Sequence, residues 1–118
     1  MTHEAKGVHL LIDGTVNNAA PLNDDAYLRC VLTAACTIGG ATVLSAHAHR
    51  FEPNGITVVC VLSESHASIH TYPDDALFFA DFFTCGALDP LPAVDFLRTA
   101  LHVEHIGTRV IQRPLEAG

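Results

Sequence analysis

The sequence is poor in basic residues and has no apolar run of bilayer length. Its 118 residues include six Lys and Arg against thirteen Asp and Glu, a formal net charge of -7 at pH 7, so the backbone of a nucleic acid would be repelled. No stretch approaches the roughly 20 apolar residues that cross a bilayer. The N-terminus M-T-H-E-A-K lacks the basic-then-apolar order of a signal peptide. We therefore expect a cytoplasmic protein with no nucleic-acid or membrane partner, and the acidic field favours a small cationic ligand.

Familiar cysteine and serine motifs are also absent. Cys30, Cys36, Cys60 and Cys85 form no C-x-x-C pair, and scattered cysteines in a reducing compartment mostly serve as small buried apolar groups. The sequence lacks a G-x-S-x-G elbow, so a hydrolytic Ser-His-Asp triad has no local support.

The composition is that of one folded domain. Apolar residues make up 49% of the chain and charged residues 16%, which is typical of a globular protein. A chain of this length has the common size of a single domain, so we assign residues 1–118 to one unit.

Two helices are predicted from apolar residues at helical spacing. The first spans about residues 24–38, since Asn23-Asp24-Asp25 supplies an N-cap and Gly39-Gly40 ends the pattern. The second follows Pro92, which suits a first helical turn.

Apolar runs bounded by turn residues predict six strands. Asp13-Gly14 is interpreted as the exit turn of the first strand, and residues 14–23 as a loop. Pro53-Asn54-Gly55 predicts a hairpin between the second and third strands. The predicted strands are residues 8–12, 41–51, 56–62, 67–71, 77–84 and 107–112.

The order β-α-β-β-β-β-α-β, with tight turns among the middle strands, indicates an α+β two-layer sandwich. Its sheet would be mostly antiparallel, with both helices on one face. The other face would remain uncovered in a monomer. Because the strands are rich in Val, Leu, Ile and Phe, we expect two chains to pair into a dimer by stacking their sheets.

Eight histidines raise the question of a metal site. His47 and His49 share one face of the predicted second strand, and imidazole is a good zinc ligand. His66 and His70 would lie about 13 Å apart in an extended strand, at roughly 3.3 Å per residue. Because no cysteine or carboxylate completes a familiar spacing, the histidines are interpreted as partly buried or surface side chains, and no metal is predicted.

The stretch Val59–Tyr72 gives the strongest indication of chemistry, because it holds three serines, two histidines and a glutamate. A serine in a strained backbone can attack the preceding carbonyl. The resulting ester can undergo β-elimination to dehydroalanine, which hydrolyses to a pyruvoyl group. Such a ketone would form a Schiff base with an amino-acid substrate and act as the electron sink that PLP provides elsewhere. The residues alone leave this chemistry open against an ordinary loop serine.

Three blocks in order resemble the prokaryotic S-adenosylmethionine decarboxylase family, the pyruvoyl enzymes of polyamine synthesis. The blocks are H-R-F-E-P-N-G, L-S-E-S-H-A-S-I-H-T-Y-P-D and F-F-T-C-G, and the similarity runs from Val8 to about Arg113. The resemblance implies self-cleavage between Glu64 and Ser65 and a covalent pyruvoyl group derived from Ser65, with no PLP and no metal. It also implies a homodimer whose active sites use both subunits.

The resemblance implies a role for each matching residue. Ser65 is the pyruvoyl precursor, His70 moves a proton during processing, and Thr57 assists with its hydroxyl. Cys85 would donate a proton to the decarboxylated carbanion, as a thiol of reference pKa about 8.5 can do near neutrality.

Positions expected to face the substrate depart from the family pattern. Phe51 and Tyr72 could stack on adenine or lie against a cation, although Tyr72 replaces the usual Trp. Asp74 replaces the usual Glu and could pair with a guanidinium or ammonium group, and bulky Phe78 or Phe79 could narrow a nucleoside site. S-adenosylmethionine is the first choice of substrate, with L-arginine or L-ornithine as the alternative. An unprocessed, non-catalytic homologue is the third possibility.

Overall fold

Six strands and two α-helices make up the structure, a computed structural model that describes residues 5–85 and 89–117. The strands are β1 Gly7–Val16, β2 Val43–Arg50, β3 Ile56–Leu62, β4 Ser65–Tyr72, β5 Leu77–Thr84 and β6 Val103–Arg113. The helices are α1 Asp25–Ile38 and α2 Leu91–Ala100, and 3-10 turns occupy Ala20–Asn23 and Pro73–Asp75. No helix within the described ranges is long and apolar enough to cross a membrane.

Helix α1 has the predicted cap. The carboxylate of Asp24 accepts a hydrogen bond from the backbone N–H of Tyr27 at 3.0 Å, which satisfies one of the N–H groups that a helix start leaves unpaired. Asp25 adds negative charge to the first turn, where the helix dipole favours it. The helix ends at Ile38, and the N–H of the following Gly39 donates to the carbonyl of Ala35 at 3.0 Å. Both predicted ends of this helix are confirmed.

All six strands form one sheet in the order β2-β3-β4-β5-β1-β6, and every neighbouring pair is antiparallel. The hairpin predicted at Pro53-Asn54-Gly55 joins β2 to β3. The N–H of Phe51 donates to the carbonyl of Gly55 at 2.8 Å, and Gly55 has a φ of 104°, which glycine adopts without steric cost. The predicted α+β class is confirmed.

The core lies between the helices and one side of the sheet, which we call the covered face. Alternate residues of β3, Ile56, Val58 and Cys60, are buried there with Leu28 and Leu32 of α1. Full burial of each large aliphatic side chain stabilises the fold by about 1.5–3 kcal/mol. Apolar residues recur at every second position of the strands and about every 3.6 positions of the helices, and these two sets of side chains therefore pack together in one core.

The opposite side of the sheet, which we call the open face, has no covering element among the described residues. Leu11, Val61, Tyr72 and Phe79 lie on this face and are 36–44% exposed. Apolar side chains clustered in this way are typical of a surface that packs against another molecule.

Strand β1 continues four residues beyond its predicted end at Ile12, to Val16, so the interpretation of Asp13-Gly14 as an exit turn is wrong. Gly14 lies opposite Phe78 of β5, and a Cβ at position 14 would come within 2.4 Å of the Phe78 ring. Glycine is needed here for close packing of an aromatic ring, a requirement that local sequence does not distinguish from a turn. Residues 20–23 of the predicted loop form a 3-10 turn.

Two other strands are longer than predicted. Strand β6 begins at Val103 instead of residue 107, and β4 covers Ser65–Tyr72 instead of residues 67–71. Most of β6 is exposed because it lies at the sheet edge, so its residues lack the apolar alternation that marks a half-buried strand.

Candidate active site

Ser65 begins β4 directly after a tight turn formed by Ser63 and Glu64. Glu64 has a φ of 61°, a left-handed conformation that costs a residue with a side chain about 1–2 kcal/mol. Ser65 lies opposite Leu62, so its side chain points to the covered face. Its Oγ is buried and has no hydrogen-bond partner among the described residues. Backbone strain and an unsatisfied hydroxyl therefore coincide at the Glu64–Ser65 peptide.

The end of β5 lies beside Ser65. His66 pairs with Phe83, which places Thr84 next to Ser65 across the two strands. Thr84 Oγ1 is likewise buried without a hydrogen-bond partner in the described part of the chain. Cys85 follows directly and is partly buried, so the predicted proton donor and the predicted pyruvoyl precursor lie at the same end of the sheet. Gly86, the last residue of the F-F-T-C-G block, lies outside the described residues.

Thr57 and His70 form a second group at the other end of β3 and β4. They are directly opposite on the two strands, and Thr57 Oγ1 is hydrogen-bonded to His70 Nδ1 at 2.9 Å. Both line a cleft of about 460 Å³ together with Phe51 and Tyr72. The structure thus brings together four side chains that the sequence analysis singled out for processing and for substrate binding.

These two groups do not meet within one chain. His70 lies five residue steps along β4 from Ser65, a distance of about 16 Å at roughly 3.3 Å per residue. Successive strand residues alternate between faces, so Ser65 points to the covered face and His70 to the open face. A single chain therefore does not assemble the predicted processing site.

Two other predicted positions border the cleft. Asp74 is exposed in the turn after β4, and its Oδ1 accepts a hydrogen bond at 3.0 Å from Asn54, which itself lines the cleft. Phe79 packs against Tyr72 with ring centroids 5.2 Å apart. Phe78, in contrast, is fully buried in the core, so it cannot narrow a nucleoside site on the open face.

A cluster that the sequence analysis missed lies on the open face at the centre of the sheet. His9 Nε2 is 2.6 Å and His66 Nε2 3.4 Å from Asp81 Oδ2, and Ser68 donates to the other carboxylate oxygen. We call His9, His66 and Asp81 the His-Asp cluster. Burial raises the pKa of Asp81, but hydrogen bonds from Ser68 and His9 and the positive charge of the two imidazoles outweigh it, so the pKa lies below its ordinary value.

No local signal identifies this cluster in the sequence. His9 and Asp81 are 72 positions apart. The pairing of β1 with β5 makes them neighbours, and the pairing of β4 with β5 adds His66. The pairing register therefore had to be known before these side chains could be placed together.

Together, the fold and the site define a two-layer α+β protein. A serine at the start of one strand follows a strained turn and has no hydrogen-bond partner among the described residues, an arrangement suited to autocatalytic cleavage of the main chain. A sequence model described as S-adenosylmethionine decarboxylase matches residues 8–114. The chain belongs to the S-adenosylmethionine decarboxylase family.

Known relatives match nearly the whole chain. It is 39% identical to the S-adenosylmethionine decarboxylase proenzyme of Prochlorococcus marinus (strain MIT 9313), over 94% of this chain and 90% of the relative. It is 40% identical to the proenzyme of Symbiobacterium thermophilum, over 96% of this chain and 86% of the relative.

Solved structures agree with the fold. The adenosylmethionine decarboxylase of Aquifex aeolicus superposes with a TM-score of 0.83 at 31% identity, covering 98% of this chain and 96% of that one. The Trypanosoma brucei AdoMetDC-delta26 monomer superposes with a TM-score of 0.59 at 15% identity, covering 92% of this chain and 46% of that one, which shows a shared fold.

Proposed function

We propose that this chain is the proenzyme of a pyruvoyl-dependent S-adenosylmethionine decarboxylase of polyamine biosynthesis, and that it cleaves itself between Glu64 and Ser65. The observation that carries the proposal is the coincidence of the left-handed Glu64 with the buried Oγ of Ser65, which has no hydrogen-bond partner in the part of the chain that the structure describes. A hydroxyl without a competing hydrogen bond is free to attack, and cleavage releases the strain in the turn.

The processing step uses only atoms of the chain and water. Ser65 Oγ bonds to the carbonyl carbon of Glu64, the Glu64–Ser65 C–N bond breaks, and the residue 65 nitrogen takes up a proton. Removal of the Ser65 Cα proton then breaks the Cβ–O bond, so Glu64 leaves as a carboxylate and residue 65 becomes dehydroalanine. Hydrolysis of the dehydroalanine enamine releases ammonia and leaves the pyruvoyl group. This group supplies an electrophilic ketone and an electron sink for loss of carbon dioxide from an amino acid.

A homodimer completes the site in this proposal. Because His70 lies about 16 Å along the strand from Ser65 in its own chain, the base that moves the proton comes from His70 of the partner subunit. The hydroxyl of Thr57, 2.9 Å from His70 Nδ1, orients that imidazole. The exposed apolar residues of the open face, Leu11, Val61 and Phe79 among them, are the surface on which two chains would pack.

The cleft supplies substrate contacts. Phe51 and Tyr72 offer aromatic faces to an adenine ring or a sulfonium centre, and Asp74 places a carboxylate at the rim for an ammonium group. Cys85, one residue beyond Thr84 and at the same end of the sheet as Ser65, supplies the proton that replaces the lost carboxylate. Since the relatives carry the name S-adenosylmethionine decarboxylase proenzyme, that substrate is preferred over arginine and ornithine.

Intact-mass analysis of the purified chain tests the processing step. Wild-type protein should give fragments of 64 and 54 residues, which are residues 1–64 and 65–118, whereas Ser65→Ala should remain one chain. Ser63→Ala is the matched control, since Ser63 lies in the same turn but is exposed, and it should still be cleaved. A wild-type chain that stays whole would contradict the proposal, as would equal loss of cleavage in both variants.

Carbon dioxide release from S-adenosylmethionine, L-arginine and L-ornithine, measured side by side on mass-checked protein, tests the substrate. We expect S-adenosylmethionine to react with the highest kcat/KM. A preference for arginine or ornithine would reject this choice while leaving the pyruvoyl chemistry in place.

A further inference from the structure

We propose that His9, His66 and Asp81 form a binding site for a divalent first-row transition metal ion of the zinc type. The three side chains come from β1, β4 and β5, which are adjacent in the sheet with β5 in the middle. Their ligand atoms all lie within 4.8 Å of one another. This inference goes beyond the decarboxylase proposal and does not depend on it.

The two distances to Asp81 suit such an ion with little movement, and the two imidazole nitrogens lie within 4.8 Å of each other. Tetrahedral zinc with ligand bonds of about 2.0–2.2 Å requires ligand atoms about 3.3–3.5 Å apart. His66 Nε2 and Asp81 Oδ2, at 3.4 Å, already have this separation. His9 Nε2 and Asp81 Oδ2, at 2.6 Å, share a proton in a hydrogen bond. Metal binding would release this proton, since metal ligands must give up their protons. It would also lengthen the distance between the two atoms by about 1 Å or less, to the separation that tetrahedral zinc requires.

The supporting side chains hold the ligands in place. Ser68 donates a hydrogen bond to Asp81 Oδ1, which leaves Oδ2 directed at the two imidazoles. The ring of Phe83 packs against both of them, with centroids 5.6 Å from His9 and 5.7 Å from His66. Such outer contacts orient metal ligands and raise affinity.

The chemistry of the three groups also fits. Two imidazoles and one carboxylate are the protein ligands of many zinc sites that keep a fourth position for water or substrate. The side chains of His9 and Asp81 are only 21% and 19% exposed, and that of His66, 45% exposed, lies on the solvent side of the site. The fourth position lies on the open face, which no described element of the same chain covers and on which the partner chain packs in the proposed dimer.

Pairs of histidines along one strand do not reveal this site. His47 with His49, and His66 with His70, offered no third ligand. Of these four, His66 alone belongs to the proposed site, and its partners come from neighbouring strands.

Cobalt titration of chelator-treated, redialysed protein tests the proposal, because Co²⁺ replaces zinc in such sites and absorbs visible light when four-coordinate. The wild-type protein should bind one Co²⁺ per chain, and Zn²⁺ should displace it. His9→Gln and Asp81→Asn should abolish the visible band, and Ser68→Ala should weaken binding about 10-fold to 100-fold. The matched control is His105→Gln, since His105 lies 3.6 Å from Glu104 but belongs to no three-ligand group among the described residues. This variant should bind as the wild type does.

The same titration on the Ser65→Ala chain separates this inference from the decarboxylase proposal, since the ligands do not require cleavage. Binding by that uncleaved chain supports the site whatever its activity. Absence of Co²⁺ and Zn²⁺ binding in the wild type would overturn the inference. The inference would also be wrong if the His9→Gln and Asp81→Asn variants both still bound the metal ion. Loss of binding in the His105→Gln control would overturn it as well. Circular dichroism verifies that each variant is folded. If a ligand variant does not fold, the Ser68→Ala variant still tests the site by a partial loss of affinity, because it keeps all three ligands.

Discussion

Two buried threonines differ in whether their hydroxyl groups have hydrogen-bond partners. Removing the two hydroxyls should therefore change the free energy of unfolding in opposite directions. Thr71 and Thr84 are 4% and 5% exposed and both point to the covered face. Thr71 Oγ1 donates to the carbonyl of Leu22 at 2.7 Å and accepts from the N–H of Ile56 at 3.0 Å. Thr84 Oγ1 has no partner within the described residues. Replacement of each by Val, which has nearly the same shape, removes the hydroxyl alone.

The expected magnitudes follow from these partners. Thr71→Val leaves a buried carbonyl and a buried N–H unpaired, at about 1–3 kcal/mol for each group, so we expect a loss of about 2–4 kcal/mol in the free energy of unfolding. Thr84→Val removes an oxygen that was desolvated without compensation, so we expect a gain of about 1 kcal/mol or more.

Urea unfolding measures both changes. The variants are made in the Ser65→Ala chain, which should not cleave itself, so that one covalent species unfolds, and protein concentration is kept constant because association affects stability. The midpoint should fall for Thr71→Val and rise for Thr84→Val. Destabilisation of similar size in both variants would refute the reasoning, since it would show that Thr84 Oγ1 is satisfied in the folded protein.

Three other predictions follow from the site and the core. If His70 acts across a dimer, mixing uncleaved His70→Ala and Ser65→Ala chains should restore cleavage of the His70→Ala chain alone, as measured by intact mass. Absence of cleavage in refolded mixed dimers would contradict a shared site. Cys85→Ser should process normally but decarboxylate about 10²-fold or more slowly, measured as carbon dioxide release; loss of processing instead would assign Cys85 an earlier role. Gly14→Ala should lose about 1–3 kcal/mol in urea unfolding, because its Cβ would meet the Phe78 ring at 2.4 Å; unchanged stability would show that the ring moves aside freely.

If the chain cleaves itself as proposed, the separation of Ser65 from His70 predicts that a newly folded monomer stays uncleaved. The strained turn and its serine form within one chain, whereas the proposed base reaches that turn only from a second chain. Processing would then depend on protein concentration, since association precedes cleavage.

The sequence by itself determined the order of the elements, the capped ends of α1, the β2–β3 hairpin and the family. These features depend on local physics: apolar periodicity, capping side chains and turn residues act over a few positions, and the family motifs are contiguous blocks. The same reasoning singled out Ser65, His70, Thr57 and Cys85, whose roles remain predictions.

Only the tertiary structure decided which of these residues are neighbours. Strand register placed His9 and Asp81 together across 72 positions, and strand alternation put Ser65 and His70 on opposite faces of one sheet. Gly14 was misinterpreted because its reason lies in the Phe78 ring of another strand. Contacts between distant segments depend on pairing register and packing, which no local window of residues contains.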